Sequence, residues 1–171
     1  YHVNDYVVLD SSSRRNLELC ETMRDKNKYG SLLWVLDKTK TAMGARRLRA
    51  MVEQPLIRKN VIEDRLDAIE ALNNSLITRD ELREYLSAVY DLERLMTRIT
   101  LKTANPRDLI AFKNSIAILP HVKTILSEFS SGLLAEYGKS LDVLNDLYDA
   151  VHQAIVEEPP ILVKEGGIIR D

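Results

Sequence analysis

Cysteine is almost missing from this chain: Cys20 stands alone in 171 residues. No internal disulfide can form, and a chain that does without one suits a reducing, cytoplasmic setting. Glycine and proline are also sparse, at 6 and 5 residues, which excludes collagen-like and linker-like compositions. None of Gly30, Gly44, Gly132, Gly138, Gly166 or Gly167 begins a G-x-x-x-x-G-K or G-x-G-x-x-G pattern. The backbone cradle that nucleotide phosphates need is therefore not encoded here. Charge of one sign is not in surplus: 24 basic against 26 acidic residues leave a formal charge of -2. A domain-wide basic field for gripping nucleic acid is excluded, so any DNA contact must be local or made by other parts of a larger protein. No apolar run approaches the roughly 18–20 residues of a bilayer span, and no signal peptide opens the chain. Tyr1 in place of an initiator Met is what a piece of a longer chain is expected to show.

What is present is helical patterning. Tyr6-Val7-Val8-Leu9 reads as a short strand, Asp10-Ser11-Ser12-Ser13 as a turn, and the alternating Asn16-Leu17-Glu18-Leu19 as a second short strand. Ser31 caps a short helix through Leu36, and Thr41 caps a second that Pro55 stops. Asn60 with Glu63 opens a helix bearing Ile62, Leu66 and Ile69, and Thr78 with Glu81 forms a capping box ahead of Leu82, Tyr85, Leu86 and Val89. Asp91 precedes Leu92, Leu95, Met96 and Ile99, an i, i+3, i+4, i+7 stripe. Asn105-Pro106 places a cap and a first-turn proline. Pro120 kinks or restarts that helix, Ser130-Ser131-Gly132 breaks the run, and a final helix is expected from about Ser140 to Ile155. The tail, Ile161-Leu162-Val163, Gly166-Gly167, Ile168-Ile169, reads as strand, tight turn, strand, a pair poorly stable alone. The expected fold is mainly α, an irregular helical array with short β elements at both ends.

Chemistry is thin. Asp149 and His152 share a helix face, but a di-metal bundle needs that motif on two helices with further carboxylates, so a surface histidine is the plainer reading. Cys20, beside Glu21, reads as a structural thiol. Glu63, Asp67 and Glu70 read as a solvated helix face. The basic cluster of Lys38, Lys40, Arg46, Arg47 and Arg49 carries the one functional hint. Arg46 and Arg49, at i, i+3, are placed to meet phosphate or an acidic neighbouring domain, with a solvated face as the plainer alternative. Arg94 and Arg98 are expected to make ion pairs inside the helical array.

Several stretches, in order, resemble the core region of the MutS family of DNA mismatch repair proteins. Leu9-Asp10-Ser11-Ser12-Ser13-Arg14-Arg15-Asn16-Leu17-Glu18-Leu19 resembles the junction of connector and core, with Ser13 where that family usually has Thr. The most specific match runs from Ser31 through Leu36-Asp37-Lys38-Thr39-Lys40-Thr41-Ala42-Met43-Gly44-Ala45-Arg46 to Pro55-Leu56, with Met51 where many members carry Trp. Asp91-Leu92-Glu93-Arg94 with Arg98, then Pro106-Arg107-Asp108-Leu109, and finally Pro159-Pro160 through Gly166-Gly167-Ile168, follow in order. The resemblance covers essentially the whole chain.

It implies a division into a connector-to-core junction (1–20), the first half of a helical core or lever (21–157) and the start of a clamp domain (158–171). The structural positions it marks are Asn16, Glu18, Thr41, Met43, Gly44, Arg46, Asp91, Arg94 and Pro106. No catalytic, metal or cofactor-binding residue is expected in this segment. ATP and Mg would belong to the parent protein, as would mismatched double-stranded DNA, a MutL-type partner and homodimerisation; no membrane is implied. A free-standing helical scaffold for protein–protein contacts is the competing reading, and a small-molecule enzyme on a helical bundle a third. Gly44, one turn into its helix, forgoes roughly 1 kcal/mol of helix propensity relative to Ala, so a close helix contact is expected there.

Overall fold

The computed structural model describes residues 5–170, and His2 and the chain end at Asp171 lie outside them. Among the described residues there are ten α-helices and no strand, only isolated bridges. The described residues fall into two compact units, divided between Ala71 and Leu72.

The first unit holds α1 (Ser11–Asn16), α2 (Leu32–Leu36), α3 (Ala42–Glu53) and most of α4 (Lys59–Asn74). The serine run read as a turn is helix α1, because the Asp10 carboxylate accepts the Ser13 amide at 2.6 Å and caps its first turn. Asn16–Leu19 is not a strand either. Glu18 turns left-handed at φ 47°, and the Glu18 and Leu19 amides return to the Arg15 and Arg14 carbonyls. That is a Schellman helix end, and its alternating pattern only mimics a strand. The expected strand at Tyr6–Leu9 reduces to one antiparallel bridge, Tyr6 to Leu56, with Val7 donating to the Pro55 carbonyl at 2.8 Å.

Leu19 and Leu33 are buried, and the Leu33 amide donates to the Leu19 carbonyl at 2.8 Å. Ser31, also buried, caps α2 through the Trp34 amide, and Tyr29 packs its ring on Trp34. Helix α4 begins at Lys59, so Asn60 lies inside it rather than capping it, and its Ile62, Leu66 and Ile69 face is exposed.

The second unit contains α5 (Leu76–Ser87), α6 (Leu92–Thr100), α7 (Pro106–Ile116), α8 (Leu119–Leu126), α9 (Gly132–Ser140) and α10 (Asn145–Ala154). Helix α5 starts one turn earlier than Thr78, whose hydroxyl bonds Glu128 rather than forming the expected capping box. Leu95, Phe112 and Ile116 form the core, with Leu92, Ala111, Leu119, Leu144 and Tyr148 packed around it. Burying such apolar side chains is worth about 1.5–3 kcal/mol each and holds α6, α7 and α10 together.

By length and composition alone the stretch Pro106–Leu126 could cross a membrane, but it is made of two helices, α7 and α8. It also carries Arg107, Asp108, Lys113 and Lys123. Phe112, Ile116, Val122, Ile125 and Leu126 are buried within this unit, which is the pattern of a core helix pair. Pro120 sits in the first turn of α8, where its missing N–H is harmless.

Helix α9 was not legible as a helix, and Ser140 ends it instead of opening the next one. Of its two glycines, Gly138 permits a close approach: a Cβ there would lie 3.0 Å from Leu126 Cβ and 3.2 Å from the Leu126 carbonyl carbon. The close crossing of α8 and α9 requires a residue that dilutes helical pattern. Helix α10 then starts from Leu144, left-handed at φ 54°, with its amide on the Asp142 carboxylate. The tail does not form a hairpin on itself. Val163–Glu165 is a single 3-10 turn, and Ile169 bridges back to Ile155 instead. Left-handed Gly166 and Gly167 allow that return.

Candidate functional site: helix termini and basic groups

Thr41 accepts the Gly44 amide at 2.9 Å and caps α3. The close contact expected at Gly44 is with this cap and not with another helix. A Cβ there would stand 2.9 Å from Thr41 Oγ1 and 3.5 Å from Thr39 Cβ. The loop leading into the cap is fixed by Asp37, whose carboxylate pairs with Lys28 and accepts from the Thr39 hydroxyl at 2.6 Å. The Lys28 ammonium and these Thr39 bonds hold the Asp37 carboxyl down at about 2. Met43 is half-buried in the first turn of α3.

Of the five basic residues singled out in the sequence, Arg49 alone lines the cleft beside Cys20. Lys38 and Lys40 are exposed in the loop, and Arg46 and Arg47 are exposed on α3. Arg49 is held along the helix by Glu53 at 2.9 Å. That pair lines an open cleft of about 320 Å³ with Ser11, Arg14, Arg15, Cys20 and Glu21. The Cys20 thiol donates to Glu53 at 3.3 Å; partial burial first, then this carboxylate, push its pKa up. A thiol so placed is held protonated and is a poor nucleophile. Glu53 lies 33 positions away along the chain, so no local pattern could have linked it to Cys20. Glu18 also contributes its side chain, accepting the Met23 amide at 2.7 Å, while Asn16 is exposed at the end of α1.

In unit 2 the marked residues lie at helix starts. Asp91 accepts the Arg94 amide and caps α6, and Arg94 itself is exposed. Pro106 is buried as the first residue of α7. There Asn105 and Asp108 exchange bonds of 2.9 and 2.8 Å in a full capping box. Asp108 also takes Arg98 from α6 at 2.7 Å, so one buried carboxylate closes a helix end and a helix–helix joint together. Arg98 thus makes the inter-helix ion pair expected of it.

A second joint went unseen in the sequence. Lys113 on α7, its side chain 3% exposed, donates to both oxygens of Glu157 at 2.9 Å. Arg170 reaches the same carboxylate at 3.2 Å, and His152 Nδ1 stands 3.6 Å from it. The Lys113 ammonium, aided by Arg170, lowers the Glu157 pKa below the usual carboxylate value. Arg107 adds a bond to the Pro159 carbonyl at 3.0 Å. His152 stacks on Tyr148 rather than pairing with Asp149. Among the described residues no group of three His, Cys, Asp or Glu side chains is arranged to hold a metal.

Residues 12–171 match the family model described as MutS domain III. The chain is 60% identical over 171 residues to the DNA mismatch repair protein MutS of Lachnoclostridium phytofermentans, covering all of this chain and 18% of that protein. It is 52% identical to the protein of the same name from Ruminiclostridium cellulolyticum and 51% identical to that from Acetivibrio thermocellus, in each case covering all of this chain and 20% of the relative. The chain therefore spans about one fifth of the length of these curated relatives.

Proposed function

The chain belongs to the MutS domain III family, and we propose that it is a non-catalytic lever segment coupling nucleotide state to DNA clamping in a mismatch repair protein. The observation that carries this reading is the joint at Asp108, where one buried carboxylate locks the start of α7 and the Arg98 side chain of α6. A lever transmits displacement only if its helices are fixed end to end, and charge-assisted bonds at helix termini supply that stiffness. Allosteric coupling of this kind is typically worth about 1–3 kcal/mol, or about 5- to 150-fold in affinity.

On this reading residues 1–20 form the connector junction, 21–157 the first half of the lever, and 158–171 the start of the clamp. ATP and Mg act elsewhere in the parent protein, which works in the cytoplasm. Mismatched DNA, a MutL-type partner and the dimer contact likewise belong to the parent. The exposed Ile62, Leu66 and Ile69 face of α4 is where a returning helical segment of that longer protein would pack. The match of residues 12–171 to one domain of a longer protein speaks against a free-standing scaffold.

The test is made in the full-length protein carrying Asp108→Asn. Affinity for mismatched DNA without nucleotide should stay within about twofold, while the ATP-induced change in that affinity should shrink about fivefold or more. An unchanged ATP response would overturn the lever role. The 171-residue chain alone should hydrolyse no ATP and bind DNA weakly and in a salt-sensitive way; tight mismatch-selective binding by it would contradict the reading.

A further inference from the structure

We infer that Glu157 is a positioning residue: with Lys113 and Arg170 it forms an electrostatic latch that fixes the direction in which the chain leaves α10. The inference rests on the lever reading only for its consequence, since residues 158–171 would lead into the next domain.

Lys113 is an almost fully buried cation whose carboxylate partner lies 44 positions away, beyond the end of α10. A buried ammonium needs a paired charge to remain charged. Its need is met by the first residues of the departing segment, and not by anything on α7 itself. Glu157 is in turn well exposed and is shared with Arg170, 13 positions further along the chain. One carboxylate therefore ties the exit from α10 and Arg170 together and pins them to a helix of the core.

The backbone agrees with the side chains. Flanking Glu157 and Arg170, the Val156 amide donates to the Ile168 carbonyl at 3.0 Å and the Arg170 amide to the Ala154 carbonyl at 2.9 Å. A single pair of bonds makes no sheet and is marginal alone. The salt-bridged carboxylate supplies what the short ladder lacks. Opening the latch would leave the Lys113 ammonium buried without its charge partner, which is costly, so the closed latch is the resting state. Loss of the latch would free the segment to leave along another line while α6, α7 and α10 stay packed.

Amide hydrogen exchange on the 171-residue chain tests this without DNA or nucleotide, so the latch and the lever reading can fail separately. Glu157→Gln should speed exchange of the Val156 and Arg170 amides about tenfold or more, with α8 and α9 amides unchanged. Arg170→Met, which keeps the Lys113 bond, should speed the same two amides by a smaller factor. In the parent chain, raising NaCl from 0.05 to about 1 M should speed them as well, because the outer half of the latch is exposed, and Glu157→Gln should abolish that salt response. Two results would overturn the latch: no acceleration in either variant, or acceleration spread evenly over unit 2, which would make the pair an ordinary element of the core.

Discussion

Asp108 carries two joints with one carboxylate, and its removal should show in stability as the loss of both. In Asp108→Ala the Asn105 amide loses its acceptor at 2.8 Å and Arg98 loses its partner at 2.7 Å. A capping bond of this type is worth about 1 kcal/mol, somewhat more for an ionised acceptor. The ion pair is worth less than its short distance suggests. The Arg98 side chain is 42% exposed, and solvent screening brings such a pair down to about 0.5 kcal/mol. A negative charge in the first turn of α7 adds about 0.5 kcal/mol through the helix dipole. The loss expected is about 2 kcal/mol. Asp108→Asn keeps an acceptor for Asn105 and loses only the charge-dependent part, about 1 kcal/mol. Urea unfolding followed by far-ultraviolet circular dichroism reads both as shifts of the midpoint, about 1 M for the alanine variant at an ordinary denaturant slope. An alanine variant within about 0.5 kcal/mol of the parent would refute the reasoning. So would an asparagine variant as damaging as alanine, since that would remove the capping box from the account.

Three further outcomes follow from the geometry. Gly138→Ala should lower stability by about 1–2 kcal/mol despite the better helix propensity of Ala, because the new Cβ meets the Leu126 backbone at 3.2 Å; an unchanged melting curve would mean that α8 and α9 separate freely. Asp37 has a folded pKa depressed from 3.8 to about 2, so its stabilisation is complete above its ordinary value and fades as pH falls through 4 towards 2. Carbon-detected NMR titration of the carboxyl should show the low midpoint, and Lys28→Met should raise it. Cys20 should react with iodoacetamide at pH 8 about tenfold more slowly than a free thiol, and Glu53→Gln should quicken it; full reactivity in the parent chain would contradict the thiol's raised pKa.

How much of this was readable in advance depended on distance along the chain. Ser31, Thr41, Asp91 and Asn105 cap helices within three residues of themselves, and a local hydrogen bond leaves a local signature. Where a pattern was misread, another local solution competed for the same residues. The Ser11–Ser13 run suits a turn or a capped helix equally, and Asp10 decided for the helix. The Leu17–Leu19 alternation is shared by a strand and a helix end, and the left-handed Glu18 decided for the second. Thr78 satisfied a capping box on paper, but α5 began earlier and turned its hydroxyl to Glu128.

By itself, then, the sequence determined that the chain is helical, where α2, α3, α6 and α7 begin, and which family it resembles, because caps, stripes and motif order are properties of neighbouring residues. Tertiary structure alone decided that Gly138 belongs in a helix, that Glu157 answers Lys113, that Glu53 answers Cys20, and that Ile169 turns back to Ile155. In each case the partner lies well beyond helical spacing. A close approach, a buried charge or a backbone bridge is satisfied by whatever the fold brings near, and nothing in the adjacent residues marks it.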